Sequence, residues 1–413
     1  MGKILPPGGR KERLLSEHRP VLIGLSGGLD SLVAAYLLKI QKRQIYAAVV
    51  AGTPEGFQEQ GDGLFACHQS ESRLKLIKKF CDHLQIPLAV LRPREEFQDA
   101  VLEPWHAARI ELKRPRHCQN CHSFRLQALW RHMRELKCAS LATGHFAKLV
   151  RSGPQNAVAI HSSNDLEADQ SGLLSQLPQE LLQVLELPLS ELTRKEVVKI
   201  AENFELRPPQ RELLFGQCLP LNESTKHWLR LNTPALFSPD VEVHFEDSLE
   251  AKHEGVVDLD FGALFPTKDP RPEKARIVAG YDPQRKVVEL RHPDAQRDQA
   301  LLISHCQWSE GVDLSSPLKG YLHQGSGLDD REVYVTPRTL GGALVRLSEG
   351  EGVFPIGSDL VVFRRRGKNA KVLVTGVVTE LAREWPANVV MVESEDEDLS
   401  RQGLVALDKD FNF

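Results

Sequence analysis

The sequence predicts an α/β protein in which a parallel sheet covered by helices is followed by a helical segment and small β-barrels. Between about residues 20 and 150, short apolar runs alternate with helical stretches, and a glycine-rich turn joins the first run to the first helix. From about residue 240 the pattern changes to short strands separated by turns. Strand–helix alternation is typical of a parallel sheet with helices on both faces, and many short strands favour barrels.

The elements follow in chain order. VLIGL (21–25) is predicted as a buried strand, SLVAAYLLKIQ (31–41) as a helix, IYAAVVA (45–51) as a second strand, 71–84 as an amphipathic helix, IPLAVLR (86–92) as a strand, about 94–112 as a helix, a helix from Cys121 to about Leu136, and ASLATG (139–144) as a strand. In TRKEVVKIAENF, Thr193 and Glu196 have the spacing of a capping box.

The chain has 413 residues, too many for one hydrophobic core. We predict an N-terminal extension (1–19), a nucleotide-binding domain (20–160), a helical segment (161–238), a small β domain (239–310) and a C-terminal β-barrel with an acidic tail (311–413). The pairs Asp282-Pro283 and Gly367-Lys368 mark hairpin turns in the β-rich part.

The composition is that of an ordinary globular protein, with 41% hydrophobic and 26% charged residues and a net charge of −4. This charge argues against a chain that coats nucleic acid by charge alone, although a local basic face remains compatible with it. No apolar run is long enough to span a membrane, and the N-terminus has no signal-peptide core, so we expect a cytoplasmic protein without a membrane partner. Seven scattered cysteines do not resemble a disulfide framework.

The sharpest motif is Ser26-Gly27-Gly28-Leu29-Asp30-Ser31, between the first strand and the first helix. The two glycines allow a tight turn that exposes backbone N–H groups, and the helix N-terminus adds positive potential, which together make an anion site. Both serines can donate hydrogen bonds to phosphate, whereas Asp30 would repel phosphate and is expected to bind its Mg²⁺. The loop lacks the GxxxxGK[ST] spacing of a Walker A loop.

SGGLDS resembles the pyrophosphate loop of the ATP pyrophosphatase (PP-loop) superfamily, whose members adenylate a carbonyl oxygen with ATP and release pyrophosphate. A plain glycine turn is the alternative, which the full pattern between a strand and a helix disfavours. The loop alone does not distinguish among the members of this superfamily, which include tRNA thiolases, GMP and asparagine synthetases and lysidine synthetase.

A second motif is RPRHCQNCHS (114–123), in which Cys118 and Cys121 lie among basic residues and histidines. Such a pair can hold zinc, form a redox disulfide, ligate an iron–sulfur cluster or carry sulfur. We expect Cys121 at the start of a helix, where a thiolate is favoured. A third cysteine, Cys218, lies in the glycine-containing stretch LLFGQCLPL.

Over most of its length the chain resembles the tRNA-specific 2-thiouridylase family, strongly to about residue 220. The matching stretches occur in the family's order: SGGLDSLVAAYLL, the approach REEFQDAVLEPWHAARIELKRPRHCQNC to the catalytic cysteine, LATGHFAKLV, EADQSGLLSQLPQELLQVLELPLSELTRKEVVKIAENFEL, LLFGQCLPL and the late strands PIGSDLVVFRR and VLVTGVVTEL. The resemblance implies that ATP adenylates the C2 oxygen of a tRNA uridine, in this family the wobble base, and that sulfur replaces the oxygen.

The resemblance also implies residue roles. Cys218 would carry sulfur as a persulfide and Cys121 would assist its release. The expected sulfur donor is a cysteine desulfurase or a sulfur-relay protein or, where no persulfide is used, free sulfide. The nucleotide-binding residues would be the loop residues together with Val50, Gly144 and His145, and the tRNA contacts would be Asp169 and Gln170. The plainer alternatives are core packing for Val50, a strand-end cap for His145 and surface polarity for Asp169 and Gln170.

The chain departs from the family at Cys118, where the family has aspartate. Cys118, Cys121 and Cys218 would suit a [4Fe–4S] cluster, which we rank above a persulfide pair, and zinc, with His117 or His122 as fourth ligand, ranks lowest. Ala168 and Gly172-Leu173 replace a lysine and an aromatic residue of the family. A different tRNA base or position, or a non-catalytic RNA-binding relative, therefore stay open as alternatives.

Overall fold

The computed structural model describes residues 20–51, 71–113, 116–152, 157–202, 223–237, 239–246, 248–260, 263–266, 271, 274–292, 300–324, 327–338, 341–348 and 357–382. They divide into two compact units. The first takes in the described residues of Met1–Pro104, His117–Thr225 and Gly367–Asn369, and the second those of Trp105–Arg116, Lys226–Arg366 and Ala370–Phe413. Among these residues no helix is both long and apolar enough to cross a membrane.

The first part of the chain alternates strands and helices as predicted. In order, it contains β1 (Val21–Gly24), α1 (Leu29–Ile40), β2 (Ile45–Val50), α2 (Glu71–Leu84), β3 (Leu88–Leu91), α3 (Arg94–Phe97), a π-helical turn (Gln98–Leu102), α4 (Glu103–Ile110), α5 (His117–Glu135), β4 (Ser140–Ala142), β5 (Lys148–Ser152), β6 (Ala157–His161), a 3₁₀ turn (Leu166–Ala168), α6 (Ser171–Leu174), α7 (Gln179–Val184), β7 (Leu185–Glu186) and α8 (Arg194–Glu202).

A five-stranded parallel sheet in the order β3-β2-β1-β4-β7 forms the core of the first unit. Val21 and Ile23 of β1 and Ala47 and Val49 of β2 pack in one apolar cluster with residues of α1, α2 and α8. Helix α5 contributes nothing to that cluster and packs on β1, β2 and β4 from the other face. The predicted parallel sheet, covered on both faces, is confirmed.

The strand order reverses beside β1, because the chain runs from β1 outward to β2 and β3 and then returns to place β4 on the other side of β1. In open parallel sheets, ligands bind at such a reversal, in the crevice at the carboxyl ends of the strands. The loops that follow β1 and β4 meet at this edge.

Two predicted helices show how local chemistry sets boundaries. The capping box is confirmed, since Thr193 N donates to the Glu196 carboxylate at 2.8 Å and Glu196 N donates to Thr193 Oγ1 at 3.4 Å. The helix predicted over about 94–112 is present as a continuous helical run over 94–110, which a π-helical turn between α3 and α4 interrupts. Pro104, which has no N–H to donate to the preceding turn, stands at this interruption.

The later part of the chain is mostly β, as predicted. It contains α9 (Glu223–Asn232), a 3₁₀ turn (Pro234–Phe237), β8 (Val241–Phe245), β9 (Ser248–His253), β10 (Leu264–Phe265), β11 (Arg276–Asp282), β12 (Val287–Arg291), β13 (Ala300–Trp308), β14 (Leu318–Gln324), β15 (Gly327–Pro337), β16 (Ala343–Leu347), β17 (Asp359–Phe363) and β18 (Val372–Ala382).

The strands of the second unit form a sheet and a barrel. The sheet has the order β10-β11-β12-β8-β9, and β13-β16-β15-β14-β17-β18 form a closed antiparallel barrel. Ile303, Val335 and Val374 are among the residues that fill the barrel core. Strand β13 begins within the range that the sequence division assigned to the small β domain (239–310). Asp282 and Gly367 lie at the two hairpin turns, where Asp282 Oδ1 accepts hydrogen bonds from Gln284 N and Arg285 N.

A buried arginine organises part of the second unit. The guanidinium of Arg109, which is 4% exposed, donates to Val257 O at 2.6 Å and Leu259 O at 3.1 Å and forms an ion pair with Asp260. Arg109→Met would leave these carbonyls without their charged donor. We expect it to lower the free energy of unfolding by roughly 3 kcal/mol in urea denaturation.

The exposed Arg285 supplies a matched control for this prediction, and Arg285→Met should stay within about 0.5 kcal/mol of the parent protein. Equal urea midpoints for the two variants would contradict the structural role of Arg109.

Candidate active site

The loop after β1 folds as the sequence predicts, with one correction to its helix. Gly27 adopts a positive φ of 76°, a backbone conformation that favours glycine. Gly28 is the N-cap of α1, so this helix begins at Leu29 and not near Ser31. Asp30 and Ser31 therefore lie in its first turn, where backbone N–H groups have no partner within the helix.

Hydrogen bonds hold the two serines of the loop together. Ser26 N donates to Ser31 Oγ at 3.2 Å, Gly28 N donates to Ser26 Oγ at 3.2 Å, and Ser31 Oγ donates to Gly28 O at 2.9 Å. The two hydroxyl oxygens are 3.1 Å apart. This compact turn at a helix N-terminus has the donors and the potential of a phosphate site.

Gly144, in the loop after β4, lies directly against the first turn of α1. A Cβ atom built on Gly144 would be 2.6 Å from the Asp30 carbonyl carbon and 2.7 Å from both Asp30 O and Ser31 N. Only a residue without a side chain permits this approach. The predicted nucleotide-binding residues Gly144 and Asp30 are thus brought together at the carboxyl edge of the sheet.

The structure adds a residue that the sequence interpretation missed. The Arg194 guanidinium is 3.3 Å from Asp30 Oδ2, and Arg194 N donates to Asp165 Oδ2 at 2.9 Å. A cation beside the phosphate loop suits an anionic ligand. The sequence carried one signal for Arg194. An arginine in the first turn of a helix interacts unfavourably with the helix dipole, so its presence there indicates another interaction that favours it.

Val50 ends strand β2 and is 4% exposed, with its backbone in register with Leu91 of β3. It lies at the same edge of the sheet as the loop after β1. Its packing against adenine stays a prediction, alongside the core-packing role that this burial already fulfils.

His145 links the loop after β4 to helix α5. Its Nδ1 is 2.8 Å from Thr143 Oγ1, and its Nε2 is 2.8 Å from His122 Nε2. One of the two imidazole rings therefore donates a hydrogen bond to the other. Desolvation lowers the pKa of His145 to about 4, which keeps it neutral at pH 7. His122 directly follows Cys121, and the pair therefore connects the thiol-bearing helix with the nucleotide loop.

The prediction that a helix starts at Cys121 is wrong, because α5 begins at His117. Both cysteines lie in its first turns, and the spacing of three residues places them on one face of the helix. Cys121 is buried, Cys118 is half-buried, and Arg125 Nε donates to Cys121 Sγ at 3.1 Å. The predicted helix already placed Arg125 four residues beyond Cys121, and this spacing was the sequence signal for their contact.

The structure describes two of the three cysteines that were predicted to form one site. Cys218 lies outside the described residues, and among those that are described no group of three histidine, cysteine or carboxylate side chains could hold a metal ion. Cys118 and Cys121 provide two of the three proposed ligands. Burial raises the pKa of the Cys81 thiol to about 12 and that of the Cys306 thiol to about 11, so both are thiols at neutral pH.

Asp169 and Gln170 make hydrogen bonds within the first unit. Gln170 Oε1 accepts from Phe146 N at 3.1 Å, while Asp169 accepts from Ser163 N and Ser171 Oγ, both at 2.6 Å. These bonds hold the chain next to His145. A contact of either side chain with tRNA stays a prediction.

The fold and this site together define a class. A parallel sheet with an SGGLDS loop at the reversal of its strand order is a PP-loop nucleotide-binding domain. Residues 19–219 match the family model described as the tRNA methyl transferase HUP domain.

Curated relatives narrow the class. The chain is 27% identical to a tRNA-specific 2-thiouridylase MnmA of Parvibaculum lavamentivorans, over 89% of this chain and 93% of the relative. It is 28% identical to that of Syntrophotalea carbinolica, over 71% of this chain and 80% of the relative. Over most of its length the chain is therefore similar to tRNA-specific 2-thiouridylases. A solved complex of a 4-thiouridine synthetase with RNA and bound ATP matches 52% of this chain and 50% of its own chain, at 15% identity and a TM-score of 0.31.

Proposed function

We propose that the protein is an ATP-dependent tRNA-uridine 2-sulfurtransferase, which adenylates the C2 oxygen of a uridine and replaces that oxygen with sulfur. One observation supports it most. The 2.8 Å contact between His122 and His145 joins the helix that carries Cys118 and Cys121 to the loop that abuts the phosphate turn. Adenylation takes place on the C2 oxygen and sulfur then attacks the C2 carbon bonded to it, so the residues of the two steps need to lie close together.

In the first half-reaction, the C2 oxygen attacks the α-phosphorus of ATP and pyrophosphate leaves. The residues present fit ATP, since the serine hydroxyls, the N-terminus of α1 and the close approach of Gly144 form a phosphate site. Arg194 supplies a positive charge beside it. Asp30, whose carboxylate offers the oxygen ligands that Mg²⁺ prefers, would hold the metal ion that neutralises phosphate charge.

In the second half-reaction, sulfur attacks C2 and AMP leaves. On the persulfide route, the Cys121 thiolate attacks the Cys218 sulfur of a Cys218 persulfide. The sulfur–sulfur bond of the persulfide breaks, hydrosulfide departs with the electron pair, and a Cys121–Cys218 disulfide forms. A dithiol reductant then supplies two electrons and two protons. On this route the outer sulfur of the persulfide comes from a cysteine desulfurase or a sulfur-relay protein, both of which deliver it already at the persulfide level, whereas free sulfide would be the donor only where no persulfide is formed.

On the second route, Cys118, Cys121 and Cys218 would hold a [4Fe–4S] cluster, which would supply iron to bind sulfide. Cys118, on the same helical face as Cys121, supports this route.

The wobble position of the target uridine and the contacts of Asp169 and Gln170 with tRNA complete the proposal. A cytoplasmic location belongs to it as well, because a reducing compartment keeps these thiols available.

Cys118→Ser separates the two routes. If a cluster is used, anaerobic reconstitution of this variant should bind little iron, and thiolation should fall about 100-fold through loss of a ligand. Iron content is measured after reconstitution, and thionucleosides are measured by mass spectrometry. A variant with full iron binding and full thiolation would rule out the three-cysteine site.

The function itself is tested with the full chain, ATP, Mg²⁺ and unmodified tRNA transcripts. The expected result is pyrophosphate release that depends on tRNA, together with one thionucleoside that is missing from a deletion strain. Binding of tRNA without pyrophosphate release would favour a non-catalytic RNA-binding relative. Loss of a thionucleoside at another base or position would correct the substrate and keep the chemistry.

A further inference from the structure

We propose that Arg125 is a catalytic residue of the sulfur-transfer half-reaction, in which its guanidinium stabilises negative charge on the Cys121 sulfur. The inference rests on the proposed function and deepens it, because it assigns a residue to the second half-reaction only. The observation behind it is the hydrogen bond from Arg125 Nε to Cys121 Sγ, at 3.1 Å.

The bond follows from helix geometry. Cys121 and Arg125 are four residues apart on α5, so their side chains are neighbours on one face. Cys121 is 8% exposed and Arg125 is half-buried. An interaction between Arg125 and negative charge on this sulfur would therefore be screened less than one at the surface.

The chemistry of the two groups favours an anionic sulfur. A thiol sulfur is a weak hydrogen-bond acceptor, whereas a thiolate accepts a charge-assisted bond from an arginine that is always protonated. Arginine also presents its donors in a rigid plane, so it orients the sulfur as well as stabilising its charge. Either sulfur route uses Cys121 in its anionic form, as the attacking thiolate or as a cluster ligand.

Another arginine of the same helix shows what an ordinary structural contact looks like. Arg131 pairs with Glu96, and both side chains are about half exposed (53% and 49%). Exposed ion pairs of this kind contribute little. Arg125 instead contacts the sulfur that the proposed reaction uses, at the end of the helix that His122 connects to the nucleotide loop.

The test compares Arg125→Met, which removes the charge and the donors, with Arg125→Lys, which keeps the charge but loses the planar donors. Arg131→Met is the matched control on the same helix. For each full-chain variant, pyrophosphate release with unmodified tRNA and thionucleoside formation with inorganic sulfide or with a desulfurase and cysteine are measured. The informative quantity is the ratio of thiolation to pyrophosphate release.

We expect this ratio to fall on the order of 100-fold in Arg125→Met, the effect of removing one donor from a reacting anion, and about 10-fold in Arg125→Lys. Arg131→Met should leave it unchanged. An unchanged ratio in Arg125→Lys overturns the proposal, even if Arg125→Met fails to fold. If the parent protein itself releases no pyrophosphate and forms no thionucleoside, the proposed function fails and not the role of Arg125 alone.

Discussion

Replacing Gly144 by alanine should lower tRNA-dependent pyrophosphate release by about 100-fold, the scale of loss that a displacement of about 1 Å in a reacting site produces. The added Cβ would lie 2.6–2.7 Å from backbone atoms of Asp30 and Ser31. Backbone cannot rotate away as a side chain does, so the start of α1 or the loop after β4 must move. Either movement displaces the phosphate loop from the position that ATP requires.

The same substitution should cost about 1–3 kcal/mol of stability through overpacking. Circular dichroism and thermal melting will show whether the variant remains folded, and calorimetric titration with ATP will report the pocket itself. Gly280→Ala is the matched control, because a Cβ there meets nothing closer than 4.0 Å. Wild-type pyrophosphate release by Gly144→Ala would refute the assignment of this edge as the nucleotide site.

Cys121→Ser should abolish thionucleoside formation while pyrophosphate release stays within about threefold of the parent protein. A serine hydroxyl is not ionised at neutral pH, so it neither attacks a persulfide nor serves as a thiolate ligand. Adenylation does not use this sulfur, because in that step the C2 oxygen attacks the α-phosphorus and no bond to sulfur is formed. The predicted result is therefore a separation of the two half-reactions within one variant.

Cys306→Ser provides the control for the cysteine substitution. Burial raises the pKa of Cys306 to about 11, so it is a thiol at neutral pH, and its sulfur donates to Ile303 O at 3.6 Å, a bond that serine can retain. Both activities should be unchanged in this variant. Thionucleoside formation by Cys121→Ser at the parent rate would remove Cys121 from the reaction.

Local sequence chemistry was enough to predict many elements of the first unit. The apolar runs of β1 and β2 and the capping box of Thr193 and Glu196 are determined by residues close together in the chain. The start of α5 was misplaced by four residues. The sequence around His117 has no acidic or hydroxyl residue of the kind that usually marks a helix N-terminus.

The contacts between residues of the candidate site were harder to predict from the sequence. Arg194 and Asp30 are 164 positions apart, and His122 and His145 are 23 apart. Each histidine or arginine alone has an ordinary surface or capping role as an equally good explanation. Only the pairing distances distinguish a group of residues that act together from residues that merely have suitable chemistry.

The sequence by itself determined the phosphate loop, the alternation that builds a parallel sheet and the resemblance to tRNA-specific 2-thiouridylases, because these depend on residue types at short, fixed spacings. The tertiary structure decided which segments meet. Strand order placed the loops after β1 and β4 side by side, Gly144 against Asp30, and the thiol-bearing helix within hydrogen-bond distance of His145. Such meetings depend on how buried surfaces from distant segments pack together, and no short stretch of sequence contains that information.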